Sequence, residues 1–368
     1  MNRVSSLVDC FSVIEDPRIE RTRVHSLSDI LVLSVLAVIA GAEGWEDIEE
    51  FGKQKKSWLK KFLKLQGGIP SHDTISREFR MLKPGVFQEA FLSWIKELHQ
   101  DLGLQTVAID GKSLRRSHDR SSMKKMLHSV SAWSATNRLM LGQLAVDEKS
   151  NEITAVPKLL KFLDLKGAVV TMDAMGCQKE IADQIIEQGG DFMLAVKDNQ
   201  PTLAAAITEL FNEYHEDPLP EQIVRSHETR EKGHGRQEHR MYFQAALQES
   251  FLEKFPGWRG LRTIVQVLNI TEREGKETTD VRYYISSLRP GVKKAATAIR
   301  NHWGIENSLH WVLDMTFNED QSRIRKDHGA ENFALLRRLA INIIQQDTSS
   351  GSCLLYTSDA ADDLLCVD

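Results

Sequence analysis

Two short apolar runs each end in an aspartate. Thr106-Val107-Ala108-Ile109 leads into Asp110, and Ala168-Val169-Val170-Thr171-Met172 leads into Asp173. Runs this rich in β-branched residues read as buried strands. Side by side in parallel, they would bring their ends to about 4.7 to 4.9 Å apart, with both carboxylates at one sheet edge. That edge is where open α/β sheets bind their ligands. Two carboxylates so close repel unless one is protonated or a cation lies between them, and a divalent metal answers this economically. A third carboxylate, Glu306, borders the apolar side of a helical pattern that runs from Val292 to about residue 313, with Trp303 one turn before it and His310 one turn after. Such a carboxylate would point from a packed helix toward the sheet, as a third ligand. Next to Asp110, residues 111–128 carry Lys112, Arg115, Arg116, Arg120, Lys124 and Lys125 against the single acid Asp119. This local positive charge suits a phosphodiester backbone, and Lys112, Arg115 and Arg116 are the candidates for positioning phosphate.

The elements that must hold these groups can be read from periodicity. Residues 1–100 read as a helical N-terminal domain. An almost wholly apolar helix covers 30–40, and a longer one covers 45–65, with acids early and lysines late, as the helix dipole favours. A third covers 70–80, with Ser71 as N-cap and Lys83-Pro84 as its stop. This third one has the look of a recognition helix, although an ordinary surface helix fits as well. Between 101 and 200, strands at 127–133 and 139–146 follow the Asp110 strand. A helix at 153–163, the Asp173 strand, a helix at 178–188 and a strand at 192–196 come next. That order predicts a ribonuclease H-like mixed sheet. Residues 201–290 read as a β-rich insertion with strands near 223–226, 238–245, 262–268 and 280–287, and 291–350 as a helical completion of the core.

Composition sets the outer bounds. The 368 residues are 41% hydrophobic and 27% charged, as in a soluble globular protein, and the longest apolar stretch is too short to span a bilayer. No secretory signal opens the chain. Cysteines at 10, 177, 353 and 366 form neither a metal-binding spacing nor a disulfide framework, consistent with a reducing cytoplasm. The net charge of −5 confines any nucleic-acid contact to local patches. Residues 351–368 are set aside as a non-native tail: the stretch from Cys353 onward resembles a translated sequencing adapter, and without 353–368 four aspartates go and the charge becomes −1.

Three stretches together resemble one family. Ile109-Asp110-Gly111-Lys112, Thr171-Met172-Asp173-Ala174-Met175-Gly176-Cys177-Gln178 and His302-Trp303-Gly304-Ile305-Glu306-Asn307-Ser308-Leu309-His310-Trp311 are similar to the DDE-class insertion-sequence transposases of the H-repeat-associated, Rhs-linked type. The resemblance implies a ribonuclease H-like core, with Asp110, Asp173 and Glu306 as a metal-binding catalytic triad. It also implies Mg²⁺, with Mn²⁺ as a substitute, and double-stranded DNA as substrate, engaged by a homodimer in the bacterial cytoplasm. Asp110 would bridge two ions about 3.5 to 4 Å apart, for cleavage at the element ends and then strand transfer. Arg236, Arg300 and Arg323 join Lys112, Arg115 and Arg116 as expected DNA contacts. One departure stands out. The Arg four before the Glu and the Lys seven after it, common in related transposases, are His302 and Leu313 here, so Asp314 competes with Glu306 as the third acid. Other readings are a ribonuclease H-like nuclease without strand transfer and a repurposed DNA-binding relic. A haloacid-dehalogenase-type phosphatase is disfavoured, because Lys112 stands where it needs a second Asp.

Overall fold

Nine strands form one mixed sheet in a computed structural model that describes residues 3–98, 106–114, 117, 126–146, 152–217, 224–233 and 235–346. β1 (Thr106–Ser113), β2 (His128–Ser134) and β3 (Leu139–Val146) make an antiparallel meander. β4 (Val169–Met172) and β5 (Asp191–Val196) then run parallel to β1. A parallel neighbour needs a crossover, and the helices Glu152–Leu160 and Lys179–Glu187 supply the two required. This is the ribonuclease H-like arrangement. β6 (Val224–Gly233), β7 (Arg236–Ala246), β8 (Thr263–Arg273) and β9 (Lys276–Ser286) pair antiparallel, and β9 joins β5. The insertion therefore lengthens the core sheet, giving the order β3-β2-β1-β4-β5-β9-β8-β7-β6.

The helices cover the sheet in three clusters. The Leu27–Ile39 helix is buried nearly all round, as its unbroken apolar run requires, and packs with the C-terminal helix Gly329–Gln345. Their cluster takes in Ala108, Trp133 and Met140 of the meander and Ile305, Leu309 and Leu313, so residues 3–98 share one core with the end of the chain. The opposite face packs against the helices Glu152–Leu160, Lys179–Glu187 and Pro201–Glu216. A third cluster seats the Val292–His302 helix on Val169, Met193, Tyr242, Val265 and Tyr284. At the β3 edge, Asn342 donates to Met140 O at 2.8 Å and accepts from Met140 N at 2.8 Å, fully buried, and so takes the place of a neighbouring strand at that residue.

Several elements depart from the sequence reading. The helix expected over 45–65 ends at Gln54 and resumes only over Lys56–Leu59. The chain then turns through Leu65 in left-handed conformation (φ 44°), whose N–H donates to Asp29 Oδ2 at 2.8 Å. Ser71 is the N-cap of His72–Met81 as expected, accepting from Thr74 N, and Pro84 begins a further helix, Pro84–Leu98. Inside the region read as β-rich, Pro201–Glu216 is helical: Pro201 opens it, and Leu203, Ile207 and Phe211, four apart, are its buried stripe. The helical pattern from Val292 does not run unbroken to residue 313 either. It stops at His302 and passes through a wide π-turn over Glu306–His310, where Trp311 N–H donates to the carbonyl of Glu306, before Trp311–Met315.

Candidate active site

β1 and β4 pair in parallel from Thr106↔Val169 to Ile109↔Met172. Asp110 and Asp173 each follow the last residue of this parallel ladder, Asp173 just past the end of β4 and Asp110 within β1, which runs on beside β2 to Ser113, and both line one narrow cleft. Asp110 Oδ1 accepts from Gly111 N–H at 2.8 Å. Asp173 caps the turn Ala174–Gly176, its Oδ1 accepting from Met175 N at 3.0 Å and Gly176 N at 3.3 Å. Burial, followed by the charges of Asp173, Glu306 and Glu152, lifts the Asp110 carboxyl to about 7, while the Gly111 N–H works the other way. His310 Nδ1 lies 3.6 Å from Asp110 Oδ2 but supplies no compensating charge, because burial and the nearby Arg338 and Lys112 hold the imidazole down to about 3.

Glu306 stands where the π-turn begins. Ile305 and Leu309 take the buried positions on either side, which leaves Glu306 exposed at the rim instead of pointing into the sheet. It lines a groove of about 540 Å³ with Asp173, Asp198, His302 and Tyr283. It also lines a second, of about 740 Å³, with Arg236, Arg240, Arg300, Trp303 and Trp311. Among the described residues, no three His, Cys, Asp or Glu side chains stand close enough to hold a metal ion; Asp110 and Asp173 share the narrow cleft, and Glu306 stands at its rim, sharing a groove with Asp173. His302, in the position of the signature Arg, bonds Thr171 Oγ1 at 3.0 Å, and burial takes it down to about 4; Leu313, in that of the Lys, is wholly buried.

The basic residues mostly have acid partners. Lys112 is 8% exposed and points to Asp314 Oδ1 at 2.6 Å, Glu319 Oε2 at 3.3 Å and Asp320 Oδ1 at 3.5 Å. The pairing also commits Asp314, the alternative third acid, to Lys112. Arg300 pairs with Glu231 at 2.7 Å and Arg236 with Glu238 at 2.8 Å, both along the larger groove, while Arg323 is exposed. Arg115 and Arg116 lie outside the described residues.

Three features have no counterpart in the sequence reading. Arg240 and Arg282 both lie over the ring of Trp303, at 5.4 Å and 4.7 Å from its centroid. Glu319 and Arg338, both fully buried, pair at 2.7 Å, and Lys112 lies 3.3 Å from the other oxygen of Glu319. Glu152, the first residue of its helix, is hydrogen-bonded by His128 Nε2 and lines the cleft of Asp110 and Asp173. An acid opening the helix after a third strand was the available signal for Glu152.

A sheet of this order, with a carboxylate just past the paired stretch of each of two adjacent parallel strands, is of the ribonuclease H-like class. Two family profiles match the sequence, one described as DDE_Tnp_1-associated over residues 8–95 and the transposase DDE domain over residues 101–343. The chain belongs to the transposase DDE domain family. It is 43% identical over 351 residues to the H repeat-associated putative transposase YhhI of Escherichia coli strain K12, covering 94% of this chain and 91% of that one. It is 42% identical over 351 residues to the putative protein YbfL of the same strain, with the same coverage. Among solved structures, a piggyBac transposase synaptic complex with hairpin DNA aligns over 99% of this chain and 77% of that one, at 11% identity and a TM-score of 0.42, too loose a likeness to bear on activity. Among the described residues, no helix is long and apolar enough to cross a membrane.

Proposed function

We propose that this chain is a DNA transposase that cuts the ends of an insertion sequence and joins them to target DNA, with Asp110, Asp173 and Glu306 as its catalytic acids. The main support is the register that puts Asp110 and Asp173 side by side just past the β1–β4 ladder, in a cleft where a half-buried carboxyl has like charges around it. Such a donor set, all hard oxygen, fits a divalent cation better than it fits itself. Asp110 and Asp173 would hold Mg²⁺ or Mn²⁺, and Glu306 would complete the set from the rim. When bound, the ion supplies Lewis acidity at the scissile phosphate and a more acidic attacking water.

The rest of the work falls to side chains of the chain. The Gly111 N–H orients the Asp110 carboxylate, and the two amides of the Met175-Gly176 turn orient that of Asp173. Neutral His310, beside Asp110, leaves the local negative charge undiminished for a cation. Arg236 and Arg300 edge the groove on the far side of Glu306, where exchanging a glutamate for a phosphate would let them follow a DNA backbone; Arg323 is a further candidate. Two DNA ends call for a homodimer in the complex.

Asp110→Asn is expected to fold and to retain binding to element-end DNA, yet to lose Mg²⁺-dependent nicking by more than about 100-fold, beyond the range for partners of metal ligands. Undiminished nicking would remove Asp110 from the chemistry. The exposed position of Glu306 favours one competing reading, a DNA-binding relic without catalysis. Element-end binding by the unaltered chain with no Mg²⁺-stimulated cleavage would select it.

A further inference from the structure

Gly111, directly after Asp110, is closed in on one side by a buried carboxylate. A Cβ there would lie 2.3 Å from Glu152 Oε1, 2.6 Å from Glu152 Cδ and 2.9 Å from His128 Nε2. The Glu152 carboxylate therefore rests on the backbone of β1 at the residue whose N–H orients Asp110. It is itself held. His128, buried at 3% exposure, donates to it through Nε2, and His128 Nδ1 meets Ser113 Oγ at 2.7 Å. Ser113 and His128 are paired residues of β1 and β2, so the chain Ser113, His128, Glu152 bridges the meander to the crossover helix across the position of Gly111. Glu152 lines the same cleft as Asp110 and Asp173, and it is 9% exposed.

Burying a carboxylate costs several kcal/mol unless its site repays it, and a helix of this length could begin with a neutral cap. Position and tether point to another use. We propose that Glu152 is a positioning residue of the active site: held by His128 and Ser113, it fixes the Gly111 peptide and through it the Asp110 carboxylate, and so strengthens the site's hold on a divalent cation. The inference rests on the assignment of Asp110 and Asp173 as cation ligands. Partners that orient metal ligands are worth about 10- to 100-fold in metal affinity, which sets the effect to look for.

The test is calorimetric titration of Mn²⁺ into the full-length protein without DNA, so that the readout does not depend on catalysis. Glu152→Gln keeps the shape but replaces the charged acceptor with a neutral amide, which weakens the His128 bond that holds this side chain against Gly111; it is expected to weaken Mn²⁺ binding about tenfold. Asp110→Asn alone is expected to weaken it more, and adding Glu152→Gln to Asp110→Asn is expected to change little further, because Glu152 acts through Asp110. If Glu152→Gln loses its fold, Glu152→Asp, which withdraws the charge from His128 by one methylene, carries the same expectation. Mn²⁺ binding within twofold of the unaltered protein, alongside a clear loss in Asp110→Asn, would overturn the role of Glu152 and leave the catalytic assignment standing. Wild-type Mn²⁺ binding by Asp110→Asn would overturn both. A loss on Glu152→Gln that persists in full in the Asp110→Asn background would also refute the claim, by showing that Glu152 does not act through Asp110. A purely structural Glu152 would lower the urea midpoint and leave Mn²⁺ affinity where it was.

Discussion

Replacing Arg338 with Met should cost the protein about 3 to 4 kcal/mol at neutral pH, and the cost should vanish in acid. Arg338 Nη1 donates to Glu319 Oε1 at 2.7 Å with both side chains at 0% exposure, and the other carboxylate oxygen faces Lys112 at 3.3 Å. Breaking a buried pair from one side strands the other charge, at about 3 to 5 kcal/mol. A second route leads to the same size. Burial alone would raise the Glu319 carboxyl, but Arg338, Lys112 and Arg337 outweigh it and bring it from 4.5 down to about 2. At about 1.4 kcal/mol per pKa unit, that difference is worth about 3 kcal/mol of folding free energy for the three cations together, with Arg338 the largest of them. Since the folded state depresses this pKa, the stabilisation is present above about pH 4.5 and is lost as the pH falls toward 2. The gap between the two proteins should therefore be widest near neutrality and close in acid. Urea unfolding followed by circular dichroism, at neutral pH and again below about pH 4, measures it. Adding Glu319→Gln to Arg338→Met should restore part of the loss, by removing the stranded charge. A gap under about 1 kcal/mol at neutral pH, or one that does not narrow in acid, would refute the ionic account of this cluster.

Asp110→Asn should stabilise the metal-free protein. The folded state raises the Asp110 carboxyl from 3.8 to about 7, so stability falls as pH rises between those values, and the Asn variant should gain up to about 4 kcal/mol above pH 7 and nothing below 3.8, as read by urea unfolding across pH. Mn²⁺ at about ten times its dissociation constant should stabilise the unaltered protein by about 1.4 kcal/mol in a thermal shift and leave Asp110→Asn unmoved. Gly111→Ala should cost about 2 to 3 kcal/mol, since the new methyl must displace Glu152 from His128, and much less in a Glu152→Ala background. Equal costs in the two backgrounds would show that the methyl is accommodated some other way.

How much of this was legible in the sequence depended on the range of the interactions. Asp110 and Asp173 could be paired because β-branched runs declare buried strands, and a strand of four residues such as β4 leaves little room for another register. Lys112 could not be read, because its partners Asp314, Glu319 and Asp320 lie some 200 residues on, and only folding shows that a lysine beside a basic stretch is consumed by acids. Glu306 was found by its place beside an apolar stripe, but periodicity assumes a regular helix, and the π-turn rotates the stripe just where the carboxylate sits. The Pro201–Glu216 helix has only a three-residue buried stripe, and the strand pattern that follows it in the sequence masks so short a signal. Glu152 fell one residue short of the helix expected from 153, and nothing local tells that its carboxylate reaches back to β1.

The nine-stranded sheet has two free margins, and they are guarded differently. At β3 the amide of Asn342 satisfies a strand backbone that could otherwise recruit a second polypeptide. The opposite margin, β6, is ten residues long and mostly exposed, and its protection is Arg225, Glu228, Arg230, Glu231 and Lys232, whose charges make docking by another molecule's strand unfavourable. A protein that binds a polyanion through this region partly neutralises the same side chains. Under the proposed DNA contacts, resistance to strand docking and substrate capture would draw on one set of charges, and several copies on one DNA molecule would bring their β6 margins together.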